Sequence, residues 1–339
     1  MATIQDVAAA AGVSTASVSR HLAGQPVRTA DAIARAIDEL GYQPNISARN
    51  LRTGRHAAIG VIVPDVTNPF FAALIKGVQQ EARAAGVQIL LGNSDEDPAQ
   101  ENALIGELSQ RTDGIIIAPL VEEGRSATDV ARLRMPVVFV DRESRERREV
   151  DRVMVDNLGG TRLAVEHLAA LGHTRIAFIG GPLTSTPGRQ RHAGFLDTMR
   201  EHDLMVDERL VVIADFRESG GHDAMHALWR EQSRPTAVFA ANNVMTLGAL
   251  RALDEVGARV PDDISVVGFD DLSFATLLRP PLTVVRRPEV EQGAAAARLL
   301  LDRVDGDTGS PPVSVTLAVE LVVRGSTGVA RPDDGIDRG

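Results

Sequence analysis

The chain has 339 residues, 44% of them hydrophobic and 24% charged, an ordinary soluble composition that provides for two or three compact units. It has no cysteine, which excludes disulfides, thiolate metal sites and cysteine catalysis and fits a reducing cytoplasm. The net charge of −10 is uneven: residues 1–56 carry six arginines against four acids, so a mildly basic head precedes an acidic body that repels nucleic acid and leaves any contact with it to the head.

The head reads as four short helices. Thr3 stands three residues before Asp6 as a cap, and Ile4, Val7 and Ala8 recur at helical spacing until Gly12 stops the run. Ser14 caps a second helix with Val18 and Leu22 on one face, and Ala11-Gly12-Val13 between the two is a tight turn in which Val13 packs between helices. That arrangement is a helix-turn-helix. Thr29 caps a third helix carrying Ile33, Ile37 and Leu40, with Gly41 as its stop. Asn45 to Arg52, after Pro44, has the pattern of a fourth, but so few residues fall below the ~12–15 needed for a marginally stable helix in water.

Past His56 short apolar strands alternate with helical patterns. Strands are predicted at Ala58 to Val63, Gln88 to Leu91, Gly114 to Ala118, Val137 to Val140, Arg175 to Ile179, Leu210 to Ile213, Ala237 to Ala240 and Ile264 to Gly268. Asn68-Pro69 opens the helix after the first of them, as cap and first position, and that helix runs to Gly86. The pattern implies parallel sheets covered on both faces, two rather than one, with a break near Val155-Asp156-Asn157. Domains are expected at 1–57, a helix-turn-helix headpiece with its hinge helix, and 58–339, an α/β core of two interleaved lobes.

The run Thr3-Ile4-Gln5-Asp6-Val7-Ala8, Ala11-Gly12-Val13-Ser14 and Ser17-Val18-Ser19-Arg20, followed by Leu40-Gly41-Tyr42-Gln43-Pro44-Asn45 and Ala48-Arg49-Asn50-Leu51, closely resembles the headpiece of the lactose-repressor (LacI) family. His21 and Ala23 depart from its pattern, standing where an aliphatic residue and an asparagine are usual. The second helix of such a motif lies in the major groove. Arg20 is then the main base reader, since a guanidinium donates two hydrogen bonds to guanine. Thr15 and Ala16 are small enough to touch a thymine methyl, while Ser14, Ser17 and Ser19 suit phosphates. The resemblance adds Thr3, Gln5, Tyr42, Asn45 and Ala48 to the DNA-contacting residues. It also implies that two hinge helices, one per subunit, pair in the minor groove with Leu51 wedged between base pairs.

The resemblance further implies a core similar to periplasmic sugar-binding proteins, with the chain crossing between lobes near Asn157, near Thr283 to Pro288 and close to Glu320. Ligands of open α/β sheets bind beyond the carboxyl ends of strands. Those ends carry Asp65, Asn68, Phe70 and Phe71; Asn93; Pro119; Asp141 and Arg142; Arg189 and Arg191; Phe216; Asn242; and Asp270 with Asp271. Asp65, Asn68, Phe70, Phe71, Asp141, Arg191, Phe216, Asn242 and Asp270 form the predicted effector set; Asp141, Arg191, Asn242 and Asp270 fall where the family's effector contacts lie. Carboxylates, amides and a guanidinium suit sugar hydroxyls and an aromatic face suits a pyranose, so a sugar effector is expected, with a purine or other metabolite as the alternative.

The expectation is thus a cytoplasmic homodimeric repressor reading a palindromic operator under allosteric control. The polar tail from Arg331 to Gly335 has no apolar heptads for a tetramer. No enzyme, cofactor or metal is expected: there is no G-x-G-x-x-G after the first strand, no G-x-S-x-G elbow and no P-loop, Gly180-Gly181 reads as a turn, and His222 and His226 lack a clear third ligand. A free-standing sugar-binding protein would start with a secretion signal and have no headpiece. This chain has an acid at Asp6 and no apolar run approaching the roughly 18 residues of a membrane span, so no membrane partner is expected.

Overall fold

The structure, a computed structural model, describes residues 2–22, 25–42, 55–122, 133–144, 149–271, 275–306 and 309–331. The chain divides into two compact units, Met1–Ala57 and Ala58–Gly339.

In the first unit, α1 (Ile4–Ala10) begins with a reciprocal cap: Asp6 N donates to Thr3 Oγ1 at 3.3 Å and Thr3 N donates to the Asp6 carboxylate at 2.8 Å. Gly12 turns the chain at φ 65°, and Ser14 Oγ accepts from Ser17 N at the start of α2 (Thr15–Leu22). Thr29 precedes α3 (Ala30–Leu40) but makes no side-chain cap, contrary to expectation. Its ψ of 27° lies outside the extended conformation that aims a hydroxyl back at the first helical N–H groups. Gly41 ends α3 at φ 56°. Val7, Ala8, Val18, Ile33 and Ala36 form the core, with Val13, Leu22, Ile37 and Tyr42 packed around it. Leu40, expected on that face, is 40% exposed, so the apolar stripe stops one turn early. The predicted hinge helix with Asn45, Ala48 and Leu51, the departure at Ala23, and the tail after Arg331 lie outside the described residues.

The second unit is two six-stranded sheets. The first contains β1 (Ala58–Val63), β2 (Gln88–Asn93), β3 (Ile115–Ile117), β4 (Val137–Val140), β5 (Asp151–Val155) and β11 (Ser314–Leu317) in the order β11-β5-β4-β3-β1-β2, all parallel. The second contains β6 (Ile176–Gly180), β7 (Val211–Ile213), β8 (Ala237–Ala240), β9 (Ser265–Phe269), β10 (Thr283–Arg286) and β12 (Glu320–Val322) in the order β12-β10-β9-β8-β6-β7, parallel except for the edge strand β12. This is the two-lobe α/β architecture that the sequence pattern predicts. Four strands escaped that reading, β5, β10, β11 and β12; they flank the crossings, which fall after Val155, after Arg286 and between Leu317 and Glu320.

The helices are α4 (Pro69–Ala84), α5 (Pro98–Leu108), α6 (Asn157–Ala170), α7 (Thr186–Glu201), α8 (Glu218–Arg230), α9 (Asn243–Glu255) and α10 (Glu289–Val304). Asn68 Oδ1 accepts from Phe70 N and Pro69 occupies the first turn of α4, so this helix starts where the dipeptide predicts. Although α10 follows a strand of the second lobe, its Ala295, Ala296, Ala297 and Leu300 pack with Leu74 and Val78 of α4 in the first. Each sheet is covered on both faces by separate apolar clusters, which explains strands such as Ala58–Val63 that are buried at every residue. Among the described residues no helix is long and apolar enough to cross a membrane.

Candidate functional site

On the headpiece, Ser14, Thr15, Ala16 and Arg20 of the second helix and its leader are exposed, and Ser17 and Ser19 are half-buried. Burial of Val18 holds this helix by its inner face, so the polar outer face carries no packing duty. Thr3 and Gln5 are exposed at the start of α1, but the Thr3 hydroxyl is already committed to Asp6, at 2.8 Å. That bond and the Thr3 backbone N–H hold the Asp6 carboxyl below its usual range, the backbone bond counting most. Tyr42 packs partly on the headpiece core.

In the core, the carboxyl ends of strands from both lobes converge on a cavity of about 50 Å³. Eight of the nine predicted effector residues line it: Asp65, Asn68, Phe70, Phe71, Asp141, Arg191, Phe216 and Asn242. Asp270 does not; it stands behind Arg287, which does. Asp95, Glu96, Arg142, Pro187 and Arg217 complete the lining. A larger cavity of about 550 Å³ adjoins it, sharing Glu96, Arg142 and Phe216.

Arg287 dominates the electrostatics. Its guanidinium donates to Asp141 of the first lobe at 2.5 Å and to Asp270 of the second at 3.1 Å, with its Nε 2.6 Å from the other Asp270 oxygen. It lies flat on Phe70, 3.3 Å from the ring centre. Burial alone would lower its pKa, but the Asp270 and Asp141 charges outweigh burial and raise it. Arg142 is treated similarly: burial opposes its charge, and a two-pronged bond to Glu96 at 2.7 and 3.1 Å restores it.

Arg191 differs. Its Nε donates to Asn157 at 2.8 Å and its Nη1 to the Ala241 carbonyl at 2.6 Å, and it stacks 3.5 Å from the Phe269 ring centre. Among the described residues it has no carboxylate partner, and Nη2 is buried without an acceptor. Burial, reinforced by the like charge of Arg287, pulls its pKa down to about 9. A buried donor left open at a cavity wall is costly in isolation and is satisfied by an acceptor entering the cavity.

The backbone shows the same concentration. Asp95, Glu96, Asp141, Phe216 and Asp270 all have positive φ, between 53° and 73°. For non-glycine residues this region costs of order 1–3 kcal/mol each and clusters at ligand sites. Phe216 can hold its ring there only because Gly181 is beside it: a Cβ on Gly181 would meet that ring at 2.1 Å.

Several bonds tie the lobes across the cleft. Besides Arg287, Asn243 Nδ2 donates to Asn68 Oδ1 at 2.8 Å, and the Glu122 carboxylate accepts from Thr186 N, Thr186 Oγ1 and Arg189 Nη2. Other strand-end residues have purely local partners: Asn93 accepts from Val66 N, and Asp271 pairs with Arg286 and Arg324. Among the residues the sequence reading missed, Arg287 had a usable signal. It directly follows β10, so reading Thr283-Val284-Val285 as a strand places it among the strand-end candidates.

Comparison with known proteins agrees with this layout. Residues 3–45 match the family described as bacterial regulatory proteins, lacI family, and residues 165–327 match a periplasmic binding protein-like domain. The chain is 35% identical over 314 residues to the ribose operon repressor of Escherichia coli (strain K12), covering 91% of this chain and 94% of that one. A solved complex of the transcriptional regulator CelR with cellobiose is 34% identical, with a TM-score of 0.74, covering 96% of this chain and 100% of that chain. The lac repressor dimer bound to operator and the anti-inducer ONPF is 29% identical, with a TM-score of 0.85 and coverage of 96% and 99%.

Proposed function

The chain belongs to the lacI family of bacterial regulatory proteins, DNA-binding regulators with small-molecule effectors, and on that premise we propose that its effector is an uncharged saccharide held in the cleft against Arg191. The buried Nη2 of Arg191 carries this reading, because it is a donor without an acceptor among the described residues, on a side chain that lines the cavity, and a ligand hydroxyl or ring oxygen would satisfy it. Charge supports a neutral ligand: the four arginines of the lining, Arg142, Arg191, Arg217 and Arg287, stand against four carboxylates, Asp65, Asp95, Glu96 and Asp141, so the cavity wall carries no net charge.

The space at Arg191, about 50 Å³, is far below the ~300–1,000 Å³ of a ligand pocket, so an effector that reaches Arg191 from the adjoining cavity of about 550 Å³ does so by displacement. Arg287 occupies both the Asp141 and Asp270 carboxylates, and saccharide hydroxyls compete with it for them. Since Arg287 bridges the lobes, that competition changes how they are held together, which is the differential contact a ligand needs to shift an equilibrium. No catalytic step is assigned to the cleft.

On the DNA side Arg20 reads a guanine, Thr15 and Ala16 face thymine methyls, and Ser14, Ser17, Ser19, Gln5 and Tyr42 position the phosphates, with Asn45, Ala48 and Leu51 of the hinge in the minor groove. Thr3 contributes by capping α1 with its hydroxyl rather than by contacting DNA. One helix-turn-helix per chain, and the likeness to a repressor dimer seen on its operator, support a homodimer on a near-palindromic site in the cytoplasm.

Thermal melting of the purified chain against a panel of mono- and disaccharides and purine bases tests the effector. A saccharide at about 100 times its Kd should stabilise by ~2.7 kcal/mol and purine bases should do nothing. A purine that raises the melting temperature while no saccharide does would overturn the reading.

A further inference from the structure

We propose that His222, His226 and Glu255 form a site for a divalent transition-metal ion, outside both cleft cavities. The sequence alone shows two histidines four residues apart with no third ligand nearby; folding supplies it. At that spacing His222 and His226 share one face of α8. The adjacent α9 packs so closely that a Cβ on Gly221 would meet the Met245 backbone at 2.2 Å and one on Gly248 would meet the Glu218 carbonyl at 2.0 Å. This proximity brings Glu255, the last residue of α9, against both rings.

The three donor atoms already converge. His222 Nε2 and His226 Nε2 lie 3.0 and 3.1 Å from the same Glu255 oxygen, Oε2, and all three ligand atoms lie within 4.8 Å of one another. Tetrahedral coordination at ~2.0–2.2 Å requires ligand atoms about 3.4 Å apart, so a few tenths of an ångström of opening admits the ion. The ion then replaces the protons that the two imidazoles direct at Oε2. The other Glu255 oxygen is held by Arg251 Nε at 3.4 Å, leaving Oε2 for the metal. Asp223 Oδ1 is 3.1 Å from His222 Nδ1, the outer-sphere carboxylate that fixes the tautomer of a ligating histidine.

Charge and access agree. Glu218, Asp223 and Glu255 against Arg251 give a negative surround when the imidazoles are neutral, and each ligand is partly exposed, so the ion reaches the site from solution. Two imidazoles and one carboxylate select a Zn²⁺, Ni²⁺ or Cu²⁺ type of ion over Mg²⁺ or Ca²⁺, and three protein ligands leave room for water. An ion there clasps α8 to α9, the helices preceded by Phe216 and Arg217 and by Asn242 of the cleft.

Calorimetric titration of the full-length, untagged protein with ZnCl2 and separately with MgCl2 tests this. The expected result is one Zn²⁺ bound per chain and no Mg²⁺. The site should be lost in His226→Ala and in Glu255→Gln, each weakening Zn²⁺ by more than the ~10–100-fold that an outer-sphere change costs, while Asp223→Asn weakens it by about 10-fold. Zn²⁺ should raise the melting temperature of the wild type but of neither ligand variant, whose metal-free melting stays near wild type. Absence of a one-to-one Zn²⁺ site, or equal Zn²⁺ affinity in wild type, His226→Ala and Glu255→Gln, would overturn the proposal.

Discussion

The headpiece and the cleft solve the same problem, presenting polar groups to a partner, in opposite ways. On α2 the polar residues stand on the solvent side of a helix anchored by Val18, and the fold asks nothing of them. In the cleft the polar residues are the structure: Arg287, Asp141, Asp270 and Arg191 are at most 4% exposed, and five positive-φ residues hold their ends of the strands in place. Recognition on the headpiece is therefore separable from stability, whereas in the cleft the two are entangled. Substitutions should sort accordingly.

The sharpest break comes from Arg287→Met. It leaves Asp141 and Asp270 buried with no cation between them, and removing one partner from a buried ion pair costs ~3–5 kcal/mol. Chemical denaturation should show that loss in the core transition. A loss below 1 kcal/mol would show that water already screens the cluster.

Next in size is a pH effect confined to the core. Burial raises the Glu101 pKa to about 7, against the hydrogen bond it accepts from Leu120 N. A folded pKa above the unfolded value of 4.5 means that the native state binds the extra proton, so stability falls as pH rises from about 4.5 to about 7. Glu101→Gln, neutral throughout, should remove this slope and gain about 2–3 kcal/mol at pH 8 relative to wild type while changing little at pH 4. Parallel unfolding curves for the two proteins across that range would refute the assignment.

Arg20→Ala should do the reverse of Arg287→Met. It costs roughly 1–3 kcal/mol of discrimination at one base pair per operator half-site while folding stability stays within about 0.5 kcal/mol. Comparing operator selections with unfolding curves for this variant measures both. An unchanged base preference at every position would remove Arg20 as the reader.

Legibility in the sequence followed the same divide. The headpiece is local: caps, turn and apolar spacing lie within 40 residues, so α1, α2, the Gly12 turn and the core residues could be read directly, and the errors, Thr29 and Leu40, concern single side-chain orientations. The core strands that are buried and wholly apolar, such as Ala58–Val63 and Val137–Val140, were equally readable. Strands at the crossings were not: β11 and β12 are only partly buried and carry Ser314, Thr316 and Glu320, while β5 opens on Asp151-Arg152 and β10 is bounded by Thr283 and Arg286, so none shows a continuous apolar run. That gap hid Arg287, whereas the strand-end rule led to Asp65, Asp141 and Asn242 at the cavity but equally to Asn93, Pro119 and Asp271, which do not line it. Asp270 lies one layer behind the cavity wall, because strand position gives the end of the sheet but not which of two paired side chains, Asp270 or Arg287, meets the cavity. Asp95 and Glu96 escaped because their place depends on a left-handed turn beyond β2 that no periodicity encodes.

The most direct test of the separation between the two regions is operator affinity with and without the saccharide identified by melting, for wild type and for Arg191→Met. Among the described residues Arg191 bonds no carboxylate, so methionine breaks no ion pair, and the fold should persist at the smaller cost of the lost bonds to Asn157 and the Ala241 carbonyl. In wild type the saccharide should change operator affinity by about 5–150-fold, the range of a 1–3 kcal/mol coupling. Arg191→Met should match wild type without ligand and show no change with it. A saccharide effect on operator binding that survives intact in Arg191→Met would contradict the placement of the effector against this residue.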